Sequence, residues 1–191
     1  MNEVVICDTN AAIHLAIICP EVLKSPSPKC NIVLHPIVKQ EIQSLMLDTD
    51  KKKRLGSVLE LISKEITANT KVGLPPKDKE IQLHKRIKII ENALDPTIMS
   101  SGSSHEDRCF LIIAKVNAAK LLTNERTLYH LGENVLGPDN VWRTSNALEE
   151  LLSQAVLTKD LIQSGLLKLN DFEENLHHDC MEKLTNLGFK F

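Results

Sequence analysis

Val4, Val5, Ile6 and Cys7 form an unbroken apolar run, and the apolar positions resume after Asp8-Thr9-Asn10 as Ala11, Ala12, Ile13, Leu15 and Ala16. The first run predicts a strand covered on both faces; the second predicts a helix from about Ala11 to Ile18, stopped at Pro20. "NIVLH" at 31–35 is a second β-branched run, and Pro36 then sits at the opening of an amphipathic helix, "IVKQEIQSLML". Thr49 or Asp50 is the expected cap of the next helix, over about 50–67. "GLPP" at 73–76 separates that helix from "DKEIQLHKRIKIIENAL", which has helical spacing again. A Pro/Ser/Gly stretch from Asp95 to Ser104 reads as a loop, with Ser103-x-x-Glu106 as a capping box for "HEDRCFLIIAKVNAA". "KLLT" at 120–123 and the weaker "NVW" at 140–142 are the last strands, and Thr144 and Ser145 open the helix "NALEELLSQA". From Thr158 the pattern is helical, broken at Gly165 and ending in a helix near 171–186.

Strands separated by helices imply parallel pairing through right-handed crossovers, so the fold class is an α/β sandwich with a central parallel sheet. In such sheets a site lies outside the carboxyl ends of the strands. Asp8 stands at one such end and Thr123-Asn124-Glu125 at another. Asp, Thr and Asn are also good helix caps, but one cap would suffice for each helix.

Composition changes the picture in three places. Aromatics make up only 3% of the 191 residues, which argues against base-stacking platforms for single strands. The five cysteines (7, 19, 30, 109, 180) are scattered without a C-x-x-C pair, as reduced thiols of a cytoplasmic protein would be. No apolar run approaches a membrane span, and the start lacks the flank of a signal peptide. Charge is uneven beneath a net of −2: residues 51–90 carry eleven Lys and Arg against four Asp and Glu, while both flanks are acidic. Such a block is a candidate footprint for a phosphate backbone.

Two acids sit among apolar neighbours. Glu41 lies four residues from both Ile37 and Leu45, on one helical stripe, and Asp107 is in the first turn of the helix bearing Phe110, Leu111 and Ile113. Read together, "VVICDTNAAIHL", "HPIVKQEIQSL" and "HEDRCFLIIAKVNAAKLLTNERTL" resemble the successive signatures of PIN domains, and "NVWRTSNALEELL" resembles that family's closing strand and helix. The resemblance implies a Rossmann-like three-layer α/β/α nuclease domain over 1–152, with a basic helical insertion at about 50–95. A helical C-terminal extension, 153–191, lies outside the family fold.

The resemblance also implies an activity: a metal-dependent endoribonuclease, holding Mg²⁺ or Mn²⁺ on carboxylates and acting as a toxin or in defence or RNA processing. Asp8, Glu41 and Asp107 match the first three family acids, and Glu125 stands where the fourth is most often Asp. Thr9, Asn10, Thr123 and Asn124 match polar neighbours that shape the site. Hard divalent cations want such oxygen donors, and four acids together without a cation would repel one another. Their carboxylates are expected within one metal shell, about 4–8 Å apart. Lys77, Lys79, Lys85, Arg86 and Lys88 are expected to border the acids and grip phosphates without reading sequence. The partners implied are RNA, with DNA as the other substrate, an antitoxin or other protein, and a second copy in a homodimer.

Other readings fit less well. A haloacid-dehalogenase-type phosphatase needs an acid where Asn10 stands, and a dinucleotide site needs glycines that "CDTNAA" lacks. "LHHDC" at 176–180 invites a metal reading, but adjacent helical residues do not face one another. His14 follows Asp8 on the first helix and reads as a core or surface histidine or as a group near the phosphate. The main alternative is a PIN-like binding module that keeps its acids without cleaving.

Overall fold

Four short segments, Glu3–Cys7 (β1), Cys30–Leu34 (β2), Lys120–Leu122 (β3) and Val141–Trp142 (β4), pair as one all-parallel sheet in the order β2-β1-β3-β4. They are seen in a computed structural model, which describes residues 3–24, 30–35, 37–69 and 104–191. Cys7 is level with Leu34 on one side and Leu122 on the other, and Leu122 is level with Trp142. The strands therefore end together. The amide of Asp8 still bonds Leu122 O (3.0 Å) and that of Thr123 bonds Trp142 O (2.9 Å), so the polar residues begin where pairing stops. Val4–Cys7 of β1 is apolar on both faces because it is covered on both; β2 alternates buried and half-buried positions.

Among the described residues the helices are Thr9–Ile18 (α1), Glu21–Lys24 (α2), Ile37–Leu47 (α3), Thr49–Asn69 (α4), His105–Val116 (α5), Arg126–Leu136 (α6), Thr144–Ser153 (α7), Lys159–Lys168 (α8) and His178–Asn186 (α9). All of α1 except Asn10 is buried, as its apolar residues on every face require. It packs against α3, α4, α7 and α8, while α5 and α6 pack on each other and on β1, β3 and β4. The expected α/β class with a parallel sheet is what the chain adopts.

Several boundaries move, each for a local reason. α1 starts at Thr9 because Asp8 takes the cap, accepting from the Ala11 amide at 2.7 Å. The capping oxygen before α4 belongs to Asp48, one residue earlier than expected, and accepts from the amides of Asp50 and Lys51 (3.0 and 3.1 Å). The capping box before α5 pairs Ser104 with Asp107, one residue later than the Ser103–Glu106 pair. The pattern predicts a break at Gly165, yet α8 runs through it. A Cβ there would lie 2.1 Å from the Ile18 carbonyl oxygen, so the glycine lets two helix backbones touch. The last helix is shorter than 171–186, since a 3₁₀ turn at Asn170–Phe172 and an irregular stretch precede α9.

Leu157, Ile162, Leu166, Leu169, Leu176, Cys180, Leu184 and Phe189 belong to the same apolar core as the strands, so residues 153–191 share it. All five cysteines are buried, and among the described residues they form no disulfide. Among the described residues no helix is long and apolar enough to cross a membrane. The helix expected at about 78–93, with Lys77, Lys79, Lys85, Arg86 and Lys88, lies outside the described residues.

Candidate active site

Outside the strand ends lies a cleft of about 650 Å³ lined by Asp8, Glu41, Asp107 and Glu125. They come from the end of β1, the middle of α3, the start of α5 and the turn before α6. Glu106 and Glu174 add two further acids, Lys51 brings a cation, and Asn10, Gln40 and Ser44 add polar surface.

Each of the four acids is tied locally. Asp8 is 4% exposed; one of its oxygens accepts from the Ala11 amide and the other from the Thr123 hydroxyl. Thr123 Oγ1 accepts in turn from the Glu125 amide (3.0 Å), and Glu125 caps α6 through the Leu128 amide. The Thr9 hydroxyl donates to Glu41, and Asp107 accepts from the Ser104 amide at 3.0 Å. So the Thr9 hydroxyl holds Glu41, the Thr123 hydroxyl joins the Asp8 carboxylate to the Glu125 amide, and Asn10 stands exposed on the wall.

Those ties use one oxygen each of Glu41, Asp107 and Glu125; among the described residues the second oxygen of each makes no hydrogen bond. Among the described residues no group of three His, Cys, Asp or Glu side chains is already gathered to hold an ion. The acids share a cleft, and not a finished metal shell as expected.

Burial first, and crowding after it, show in the acidities. Burial raises the Asp8 carboxyl from 3.8 to about 7, its hydrogen bonds from Thr123 and Ala11 pull it back, and Glu41 and Asp107 add to the rise. Glu41 is raised as well, first by burial and then by Asp107 and Glu106, against the Thr9 hydroxyl. A cation in the cleft would remove these penalties. The donors are hard oxygens, which suits Mg²⁺ or Mn²⁺ in chemistry.

No family model, curated protein or solved structure matches this chain.

Asn124 differs from the expectation that it shapes the site. It does not line the cleft, and its buried amide works as a bridge. Nδ2 reaches Thr144 Oγ1 (2.7 Å) and His14 Nδ1 (2.8 Å), while Oδ1 accepts from the Thr144 amide (3.1 Å) and faces Cys180 Sγ at 3.6 Å. Its backbone oxygen meets the guanidinium of Arg143, which stacks 4.0 Å over the Tyr129 ring and pairs with Asp179 at 3.3 Å. "LHHDC" is thereby accounted for: His177 caps α9, Asp179 holds Arg143, and Cys180 is buried against Asn124.

The sequence reading missed Glu106, Glu174 and Lys51. Glu106 adjoins Asp107 and carried its own signal as a first-turn acid. Glu174 and Lys51 reach the cleft only through the packing of the extension and α4, which no local pattern reports.

Proposed function

We propose that this protein is a metal-dependent nuclease of the PIN kind, an endoribonuclease that hydrolyses RNA phosphodiester bonds with Mg²⁺ or Mn²⁺. The reading is carried by one observation: four acids from four distant segments line a single cleft beyond the carboxyl ends of parallel strands. Folding alone asks for one capping oxygen at a helix start, and it gives no role to the second oxygens of Glu41, Asp107 and Glu125, which make no hydrogen bond among the described residues.

Asp8, Glu41, Asp107 and Glu125 would hold the cation. When bound, it supplies charge neutralisation on the phosphate and a hydroxide-like water. Asp8 contributes the most buried charge, fixed by Thr123 and the Ala11 amide. Glu41, half-buried and anchored by Thr9, has a raised affinity for protons, and we assign it to orienting and deprotonating the attacking water. Purified protein is expected to cut generic single-stranded RNA with either metal and to stop in EDTA. No cleavage of RNA or DNA with either metal would overturn the reading.

A second reading is a PIN-like binding module without cleavage. Its support is that Asp8, Asp107 and Glu125 each serve a helix start, a folding role that needs no metal.

Lys51 lines the cleft, and exposed Lys52 and Lys53 follow it at the start of α4. Cations there oppose the helix dipole, and among the described residues none of the three has an ion-pair partner; Lys51 offsets the acids of the cleft, a role that exposed Lys52 and Lys53 do not share. We assign them to the phosphate backbone. The triple variant Lys51→Glu, Lys52→Glu, Lys53→Glu is expected to bind RNA more weakly, its log–log salt slope flatter by about 0.7 for each phosphate no longer neutralised. An unchanged slope would reduce the run to a solvated face.

A further inference from the structure

One wall of the cleft is built by the C-terminal extension, which lies outside the segments that resemble the family. Glu174 forms it, and three features aim it there. Glu173, just before it, holds a left-handed backbone (φ 53°, ψ 33°), a strained conformation for a residue with a side chain. Arg54 of α4 braces that bend, with Nη1 at 3.3 Å from Phe172 O, 3.4 Å from Glu173 O and 3.2 Å from the Glu173 carboxylate. Facing Glu174 is His14, only 2% exposed, whose Nε2 stands 3.6 Å from Glu174 Oε2 and has no hydrogen-bond partner among the described residues.

The proton on His14 can be located. The Thr144 amide occupies Asn124 Oδ1, which turns the Asn124 Nδ2 donor toward His14 Nδ1. Nδ1 therefore accepts, and in the neutral ring the proton sits on Nε2, directed at Glu174. A buried donor of this kind, aimed at a carboxylate on the cleft wall, is how an outer hydrogen bond orients a ligand.

We propose that Glu174 is a fifth working carboxylate of the cleft, and that His14 is the positioning residue that aims it, so that core and extension bind the divalent cation together. This rests on the metal-dependent reading above. It makes the extension part of the site, and a family resemblance over residues 1–152 would not contain it.

The test is Mn²⁺ binding to the full chain, by calorimetry and by the electron-spin signal of free Mn²⁺. Glu174→Gln keeps size and shape and is expected to weaken Mn²⁺ binding about 10- to 100-fold with melting temperature little changed. His14→Phe removes the donor and is expected to weaken binding about tenfold, while His14→Gln, which keeps an N–H near the Nε2 position, restores most of it. If His14→Phe does not fold, Glu174→Gln decides. Wild type that binds no Mn²⁺ would sink the metal-dependent reading and this inference with it. Binding lost in Asp8→Asn but intact in Glu174→Gln would sink this inference alone, leaving the pair as a dock for the extension.

Discussion

Replacing Asp8 by Asn is expected to cut metal-dependent cleavage by about a thousandfold and to make the metal-free protein more stable above neutral pH. The first effect follows from losing one full charge on the cation, where charge stabilisation amounts to several kcal/mol and about 4 kcal/mol is a thousandfold in rate. The second follows from the acidity of Asp8. Its pKa is near 7 in the folded protein and 3.8 as a free group, so between those values the folded state holds a proton that the unfolded state has released. Stability in EDTA therefore falls as pH rises from about 4 to about 7, and the loss is complete above that. At 1.36 kcal/mol per unit it approaches about 4 kcal/mol. Glu41 is shifted the same way and deepens the fall. Asn at position 8 keeps an oxygen for the Ala11 amide and offers a donor to Thr123, yet carries no charge to bury. At pH 8 in EDTA its melting temperature should exceed wild type by about 5–10 °C, for a gain of about 2–4 kcal/mol. Added Mn²⁺ should reverse the order by stabilising wild type alone. A variant less stable than wild type at pH 8 without metal would show that Asp8 is worth more as a cap than it costs as a buried charge.

Gly165→Ala is expected to destabilise strongly, against the usual sign for alanine in a helix. The added carbon would meet Ile18 O at 2.1 Å, Ile18 Cα at 2.6 Å and the Ile18 carbonyl carbon at 2.7 Å, all backbone atoms that cannot swing aside. α8 must then lift from α1, loosening Ile162, Leu166 and Leu169 in the core. A loss of about 3 kcal/mol or more is the expected size, at the upper end for overpacking. Gly56 in α4 is the control, because a Cβ there has nothing within 4 Å. Gly56→Ala should gain up to about 1 kcal/mol. Urea denaturation of the two variants reads both values, and a Gly165→Ala protein as stable as wild type would refute the close approach.

These two glycines show what the sequence could carry. Val4–Cys7 and Leu121–Leu122 are legible because strands covered on both faces must be apolar throughout. Asp8, Glu41, Asp107 and Glu125 stand out because acids beside buried strands and helices are costly. Caps slip by a residue at Asp48 and Ser104, since adjacent Asp, Thr and Ser compete for one oxygen's place and the entering backbone decides. Gly165 looks like a break because its reason lies in Ile18, far away in the chain. Glu174 and Lys51 are hidden for the same cause. Asn124 reads as part of the cleft from its neighbours, whereas its amide spends every bond joining α1, α7 and α9.

The middle place of β1 and the enclosure of α1 also bear on how the chain is made. Residues 3–18 leave the ribosome well before their partners, since β3 arrives only at Lys120 and the glycine that admits α8 only at position 165. At a synthesis rate of about 5–20 residues per second, this largely apolar pair of strand and helix waits roughly ten to thirty seconds for its last neighbours. Its closure is among the most long-range contacts in the molecule, so it cannot be completed until residue 165 has been made. Until then the nascent chain carries an unpaired strand edge beside a helix with no polar face, the kind of surface that chaperones bind and that aggregates when they are scarce.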